Sequence, residues 1–130
     1  MGKYSGVIKH SGSMPTKHYD HNCGGKLYVD AERFLEPEDV LFAGSFFGRV
    51  TMPPGSSIGY HEQNCTPAGD FEIYYIISGK YLATFNGKEE ELGPGDVMVC
   101  MNGDWNGMEN IGEEEGVCLA MILTGKKGEE

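Results

Sequence analysis

Seven short apolar runs, Leu27 to Asp30, Leu41 to Met52, Ile58 to Gln63, Glu72 to Ile77, Tyr81 to Phe85, Val97 to Met101 and Val117 to Leu123, are separated by turn-forming breaks. Most of these runs have strand length and fall short of the three or more turns a packed helix needs, so the series reads as an all-β sandwich or barrel. Glycine reinforces that reading. Twenty of the 130 residues are Gly, and tight turns use them because Gly alone accepts positive φ without steric cost. Ser78-Gly79-Lys80 and Asn86-Gly87 each sit between or after such runs, the Asn-Gly pair being a strong hairpin signal, so the middle of the chain is expected to form an antiparallel meander.

The remaining segments are read from composition. Residues 1–25 are polar and broken by Gly, Ser and Pro, and are expected to form an irregular arm whose ordering uses a partner subunit. Residues 26–124 make the barrel, and 125–130 form a frayed tail. Ala31 to Val40 holds the one weak helical signal, a turn at Glu36-Pro37-Glu38-Asp39. Lys88-Glu89-Glu90-Glu91 and Glu113-Glu114-Glu115 read as solvated turns. A formal net charge of −10 repels phosphate backbones and anionic lipid surfaces, which excludes nucleic acid and membrane as partners. No apolar run approaches the roughly 20 residues of a membrane span, and the first residues lack an apolar export core, so a cytoplasmic protein is expected. Cys23, Cys65, Cys100 and Cys118 lack the close spacing of a zinc or redox motif and read as reduced thiols, mostly core fillers.

Two stretches carry chemistry. The first places Gly55, His61, Gln63, Glu72 and Gly79 at fixed intervals; the second does the same with Gly95, Met101, Gly103, Asn106 and Asn110. Their spacing resembles the two motifs of the cupins, G-X5-H-X-H-X3–4-E-X6-G and G-X5-P-X-G-X2-H-X3-N. Gln63 stands at the second histidine, Met101 at the proline and Asn106 at the last histidine, and Asn64 to Gly69 lengthens the interval before Glu72. The resemblance implies a double-stranded β-helix, a jelly-roll-like barrel of two antiparallel sheets, that assembles as a homodimer. It also implies a divalent metal held at the positions of His61, Gln63, Glu72 and Asn106. The amides at Gln63 and Asn106 are weak donors that suit hydrogen bonding to an organic ligand better than holding a first-row metal.

The residues themselves support a convergence. His61 and Gln63 are two apart on one strand and share a face, and Glu72 on a neighbouring strand can meet them inside the barrel. The leading expectation is a small-molecule-binding protein, metal-free or weakly metal-bound, in which His61, Gln63, Glu72 and Asn106, with Tyr74 and Trp105 nearby, hold a polar ligand. A metal-dependent enzyme of isomerase or dioxygenase type, with His61 and Glu72 on the metal, is the alternative. A third class, an interaction protein, requires side chains to fill the barrel. His18, His21 and Cys23 in the arm are metal-competent but short of partners, and read first as a surface or subunit contact. No nucleophile elbow or phosphate-cradling loop is present, which removes hydrolase and nucleotide-binding readings.

Overall fold

The computed structural model describes residues 7–35, 44–64 and 69–124. Among the described residues ten strands run in chain order: β1 (Thr16–Asp20), β2 (Tyr28–Arg33), β3 (Gly44–Met52), β4 (Ser57–Glu62), β5 (Asp70–Ser78), β6 (Tyr81–Phe85), β7 (Lys88–Leu92), β8 (Val97–Cys100), β9 (Trp105–Asn110) and β10 (Gly116–Thr124). They form two antiparallel sheets, β1-β2-β3-β10-β5-β8 and β4-β9-β6-β7. The all-β, two-sheet architecture is the one expected from the punctuated apolar runs.

Alternation explains the core. On β5, Asp70, Glu72, Tyr74 and Ile76 are buried while Tyr75 and Ile77 are exposed, the period of two that a pleated strand imposes. Met52, Ile76, Tyr81, Cys100 and Cys118 are fully buried between the sheets. Asn86 and Gly87 both take positive φ (48° and 82°), the conformation of a type I′ hairpin whose twist matches the flanking strands. Asn110 is structural: its Nδ2 donates to the carbonyls of Met52 and Glu114, both at 2.9 Å, and its Oδ1 accepts from the Gly112 N–H at 2.9 Å.

Several expectations need correction. The segment read as an irregular arm contributes strand β1, paired with β2 from Thr16↔Glu32 to Asp20↔Tyr28, and a 3-10 turn at Asn22–Gly24. A polar sequence forms this edge strand because side chains tie it down: His18 Nδ1 lies 2.6 Å from Asp30 and Nε2 3.0 Å from Asp20, with the ring against Tyr28. Lys88 to Glu91, read as a solvated turn, belong to the edge strand β7, where solvated charges block further pairing. Strand β9 lies in a polar stretch where no apolar run marks it. Ala31 to Arg33 belong to β2. The helical turn at 36–39, Cys65 and most of the 64–69 interval, and the 125–130 tail lie outside the described residues.

Candidate functional site

A β-bulge aims the histidine. Ile58 faces Met108 and His61 faces Asn106, so three steps on β4 match two on β9 and one extra residue sits at Gly59-Tyr60. Without it, strict alternation from the buried Ile58 would turn His61 outward. With it, Tyr60 is exposed and His61 points inward. The backbone there approaches other backbone closely. A Cβ on Gly59 would lie 2.0 Å from the Cys23 carbonyl oxygen, and one on Gly25 would lie 2.0 Å from that of Ser57. The turn after β1 is thereby seated on β4, with Ser57 N–H donating to the Lys26 carbonyl at 3.0 Å and Lys26 N–H to Ser57 Oγ at 2.8 Å.

The inner face of the long sheet supplies the opposite wall. A cavity of about 280 Å³ lies between the sheets, lined by His61, Glu72 and Tyr74 with Arg33, Asn22, Cys23 and Tyr19 on its polar side. Val29, Ala31, Phe46, Val50, Ile58 and Ile122 line the rest. This open space around His61 contradicts a barrel filled by its own side chains. The His61 Nδ1 hydrogen donates to the Gly59 carbonyl at 2.7 Å, which leaves Nε2 for a ligand.

Glu72 is 7% exposed, and burial pushes its carboxyl up to about 7; the hydrogen bond with Tyr74 pulls it down and the charge of Asp70 pushes it up. The Tyr74 hydroxyl is held well above its ordinary range by burial and then by Glu72, so it remains a donor. Burial raises the Cys23 thiol, and Glu72 adds to the effect. Cys23 is therefore a protonated thiol rather than a thiolate nucleophile.

The predicted site divides. His61, Glu72 and Tyr74 share the cavity, whereas Gln63 and Asn106 do not line it. Gln63 is wholly buried, donates through Nε2 to Asp70 at 2.7 Å and accepts from Asn106 Nδ2 at 3.5 Å. That layer holds two buried oxygens with no hydrogen-bond partner, Asp70 Oδ1 and Asn106 Oδ1. Sharing a face with His61 therefore does not bring Gln63 into the cavity, because Asp70, two residues before Glu72, engages its amide first. Trp105 is a correction as well. It lies on the outer face of the short sheet, 44% exposed and 5.4 Å from the Tyr60 ring, because inward Asn106 forces its neighbour outward. In the first turn region, His18 is held by aspartates and His21 Nδ1 meets the Gly25 carbonyl at 3.2 Å, so neither joins Cys23. Arg33 was legible in principle, since Val29, Ala31 and Arg33 alternate onto one face.

These residues do not fit a resident divalent metal. Gln63 is committed to Asp70 and Asn106, and His61 and Glu72 alone give two donors where a structural or catalytic centre needs three or four. Among the described residues no group of three or more His, Cys, Asp or Glu is placed to hold an ion.

Comparison with known proteins agrees with the geometry. The family model described as Cupin domain matches residues 48–122. An oxalate-binding protein of Thermotoga maritima is 32% identical over 123 residues, covering 95% of this chain and 98% of the relative. The crystal structure of a predicted oxalate decarboxylase from Thermotoga maritima superposes with a TM-score of 0.83 at 31% identity, covering 92% of this chain and all of that one. KdgF from Halomonas sp., at 14% identity and a TM-score of 0.68 over 95% of this chain and 97% of its own, shares the fold. The motif spacing, the two facing sheets and these matches give one answer: the chain belongs to the cupin family.

Proposed function

We propose that the protein binds a small carboxylic acid in the cavity between its sheets, with no requirement for a bound metal. The observation that carries this reading is the meeting of His61, Glu72, Tyr74 and Arg33 around one space of about 280 Å³, near the lower end of ligand pockets at ~300–1,000 Å³. Arg33 supplies a positive charge for a carboxylate. Glu72, with its carboxyl near 7, is substantially protonated at neutral pH and can donate to a ligand oxygen, and His61 offers Nε2. The relative that covers nearly the whole chain is named for oxalate binding, which supports the same ligand chemistry.

Calorimetric titration of chelator-treated protein with oxalate tests the reading. Saturable binding is expected, weakened at least about tenfold in His61→Ala, the equivalent of roughly 1.4 kcal/mol. Binding that appears only after a divalent metal is added back would favour the metal-dependent enzyme instead.

The protein is further proposed to be a cytoplasmic homodimer. Tyr75, Ile77, Val97 and Val99 are 42–54% exposed on the outer face of β5 and β8, where Tyr75 pairs with Val97. A contiguous apolar patch of this kind suits a two-fold, self-complementary interface. The free buried thiols of Cys100 and Cys118, pushed up to about 12 by burial, suit a reducing compartment. Among the described residues no helix is long and apolar enough to cross a membrane. Light scattering should give a dimer mass for the wild type and a monomer mass for Val97→Glu; a monomeric wild type would refute the interface.

A further inference from the structure

Strand register sets a band of charge-free lining beside the rows that carry Arg33, Tyr74 and Glu72. Across the inner face of the long sheet, Arg33 pairs with Gly48, Gly48 with Ala120, and Ala120 with Tyr74. Two residues with almost no side chain thus lie between Arg33 and Tyr74 in the strand register. Gly48 has little freedom to be anything larger, since a Cβ would lie 2.0 Å from the Glu32 carbonyl oxygen and 2.7 Å from the Phe46 ring. The Phe46 ring in turn lies 5.1 Å from the Arg33 guanidinium, which steadies the cation. Glu72 follows on the next inward row, paired with Ile122.

The adjoining row on the other side carries no charge. Ala31 pairs with Val50, and Val50 with Cys118; Val29 lies beyond Ala31 on the same face of β2, and Ile58 enters from β4. A ligand whose carboxylate reaches Arg33 and Glu72 therefore has the rest of its body against hydrocarbon. A compact dianion such as oxalate has no apolar part to put there, and a second carboxylate placed against this hydrocarbon would lose water.

Building on the carboxylate-binding reading above, we propose that this cavity selects a small monocarboxylic acid carrying a hydrocarbon substituent, in preference to oxalate. The carboxylate pairs with Arg33 and the Glu72–Tyr74 pair, and the substituent packs against Ala31, Val50 and Ile58.

The test is a calorimetric series on chelator-treated full-length protein with oxalate, acetate, propionate, butyrate and valerate. Affinity should rise about threefold to fourfold with each added methylene, so that butyrate or valerate binds more tightly than oxalate. In Val50→Thr, which keeps the side-chain volume but adds a hydroxyl, the gain per methylene should shrink. Oxalate binding more tightly than every monocarboxylate, with no gain along the series, would overturn the selectivity while leaving the carboxylate site intact. Failure of all five acids to bind would instead remove the carboxylate reading itself, and this proposal with it.

Discussion

Replacing Glu72 with Gln is expected to raise stability by about 3 kcal/mol at pH 8 and to leave it unchanged near pH 4. Burial raises the folded-state carboxyl from its ordinary 4.5 to about 7. The folded protein therefore holds a proton that the unfolded chain has released. For a raised pKa the contribution is complete below the unfolded value and is lost as pH rises through the folded one, here between about 4.5 and 7. Tyr74 and Asp70 on the same strand face this carboxyl, as do Cys100 from β8, Cys118 from β10 and Cys23 from the turn after β1. Glutamine keeps the shape and the acceptor for Tyr74 but has no charge to desolvate. Urea unfolding of both proteins from pH 4 to 8 checks this, because other titrating groups cancel in the difference. Curves that stay parallel would show that Glu72 ionises freely in the folded state. The same linkage acts on the ligand: carboxylate affinity should fall above about pH 7 in the wild type and stay level in Glu72→Gln.

Gly59→Ala is expected to cost about 3 kcal/mol, the upper part of the usual range for overpacking. The new methyl would lie 2.0 Å from the Cys23 carbonyl oxygen, which is backbone and cannot rotate away. The turn at Asn22–Gly24 must leave β4, taking with it the cavity wall formed by Asn22 and Cys23. That turn is already strained, since His21, Cys23 and Leu27 all take positive φ (49°, 52° and 55°), each at a cost of ~1–3 kcal/mol. Contacts with β4 must hold it in place. Hydrogen exchange should show lost protection at the Lys26 and Ser57 amides in Gly59→Ala. Gly93→Ala, where a Cβ would meet nothing within 4 Å, is the control and should be neutral. Unchanged protection in Gly59→Ala would mean that the turn is not seated through this contact.

How much of this was legible in the sequence depends on which signal each element carried. β6 was visible to the residue because Tyr81 to Phe85 is bounded by a glycine turn on one side and Asn86-Gly87 on the other. β1, β7 and β9 were not, since the stability of Thr16–Asp20 and Lys88–Leu92 as strands comes from neighbours distant in sequence rather than from apolar alternation. Within the site, His61, Glu72 and Tyr74 follow from motif spacing and the period of two. The fate of Gln63 does not, because it turns on Asp70, a residue outside both motifs. Trp105 was misplaced for a related reason: nearness in sequence to Asn106 puts it on the opposite face of the same strand. Tyr19, Asn22 and Cys23 reach the cavity through chain reversal after β1, which no local pattern announces.

Contact between the ligand and His61 inside the barrel is measured directly by imidazole nitrogen chemical shifts. On titration of chelator-treated protein with butyrate, a saturable shift of His61 Nε2 is expected, with His18, held at the sheet edge between Asp20 and Asp30, unmoved. Saturable binding by calorimetry with the His61 resonances unchanged would contradict it, since the acid would then be bound elsewhere on the protein.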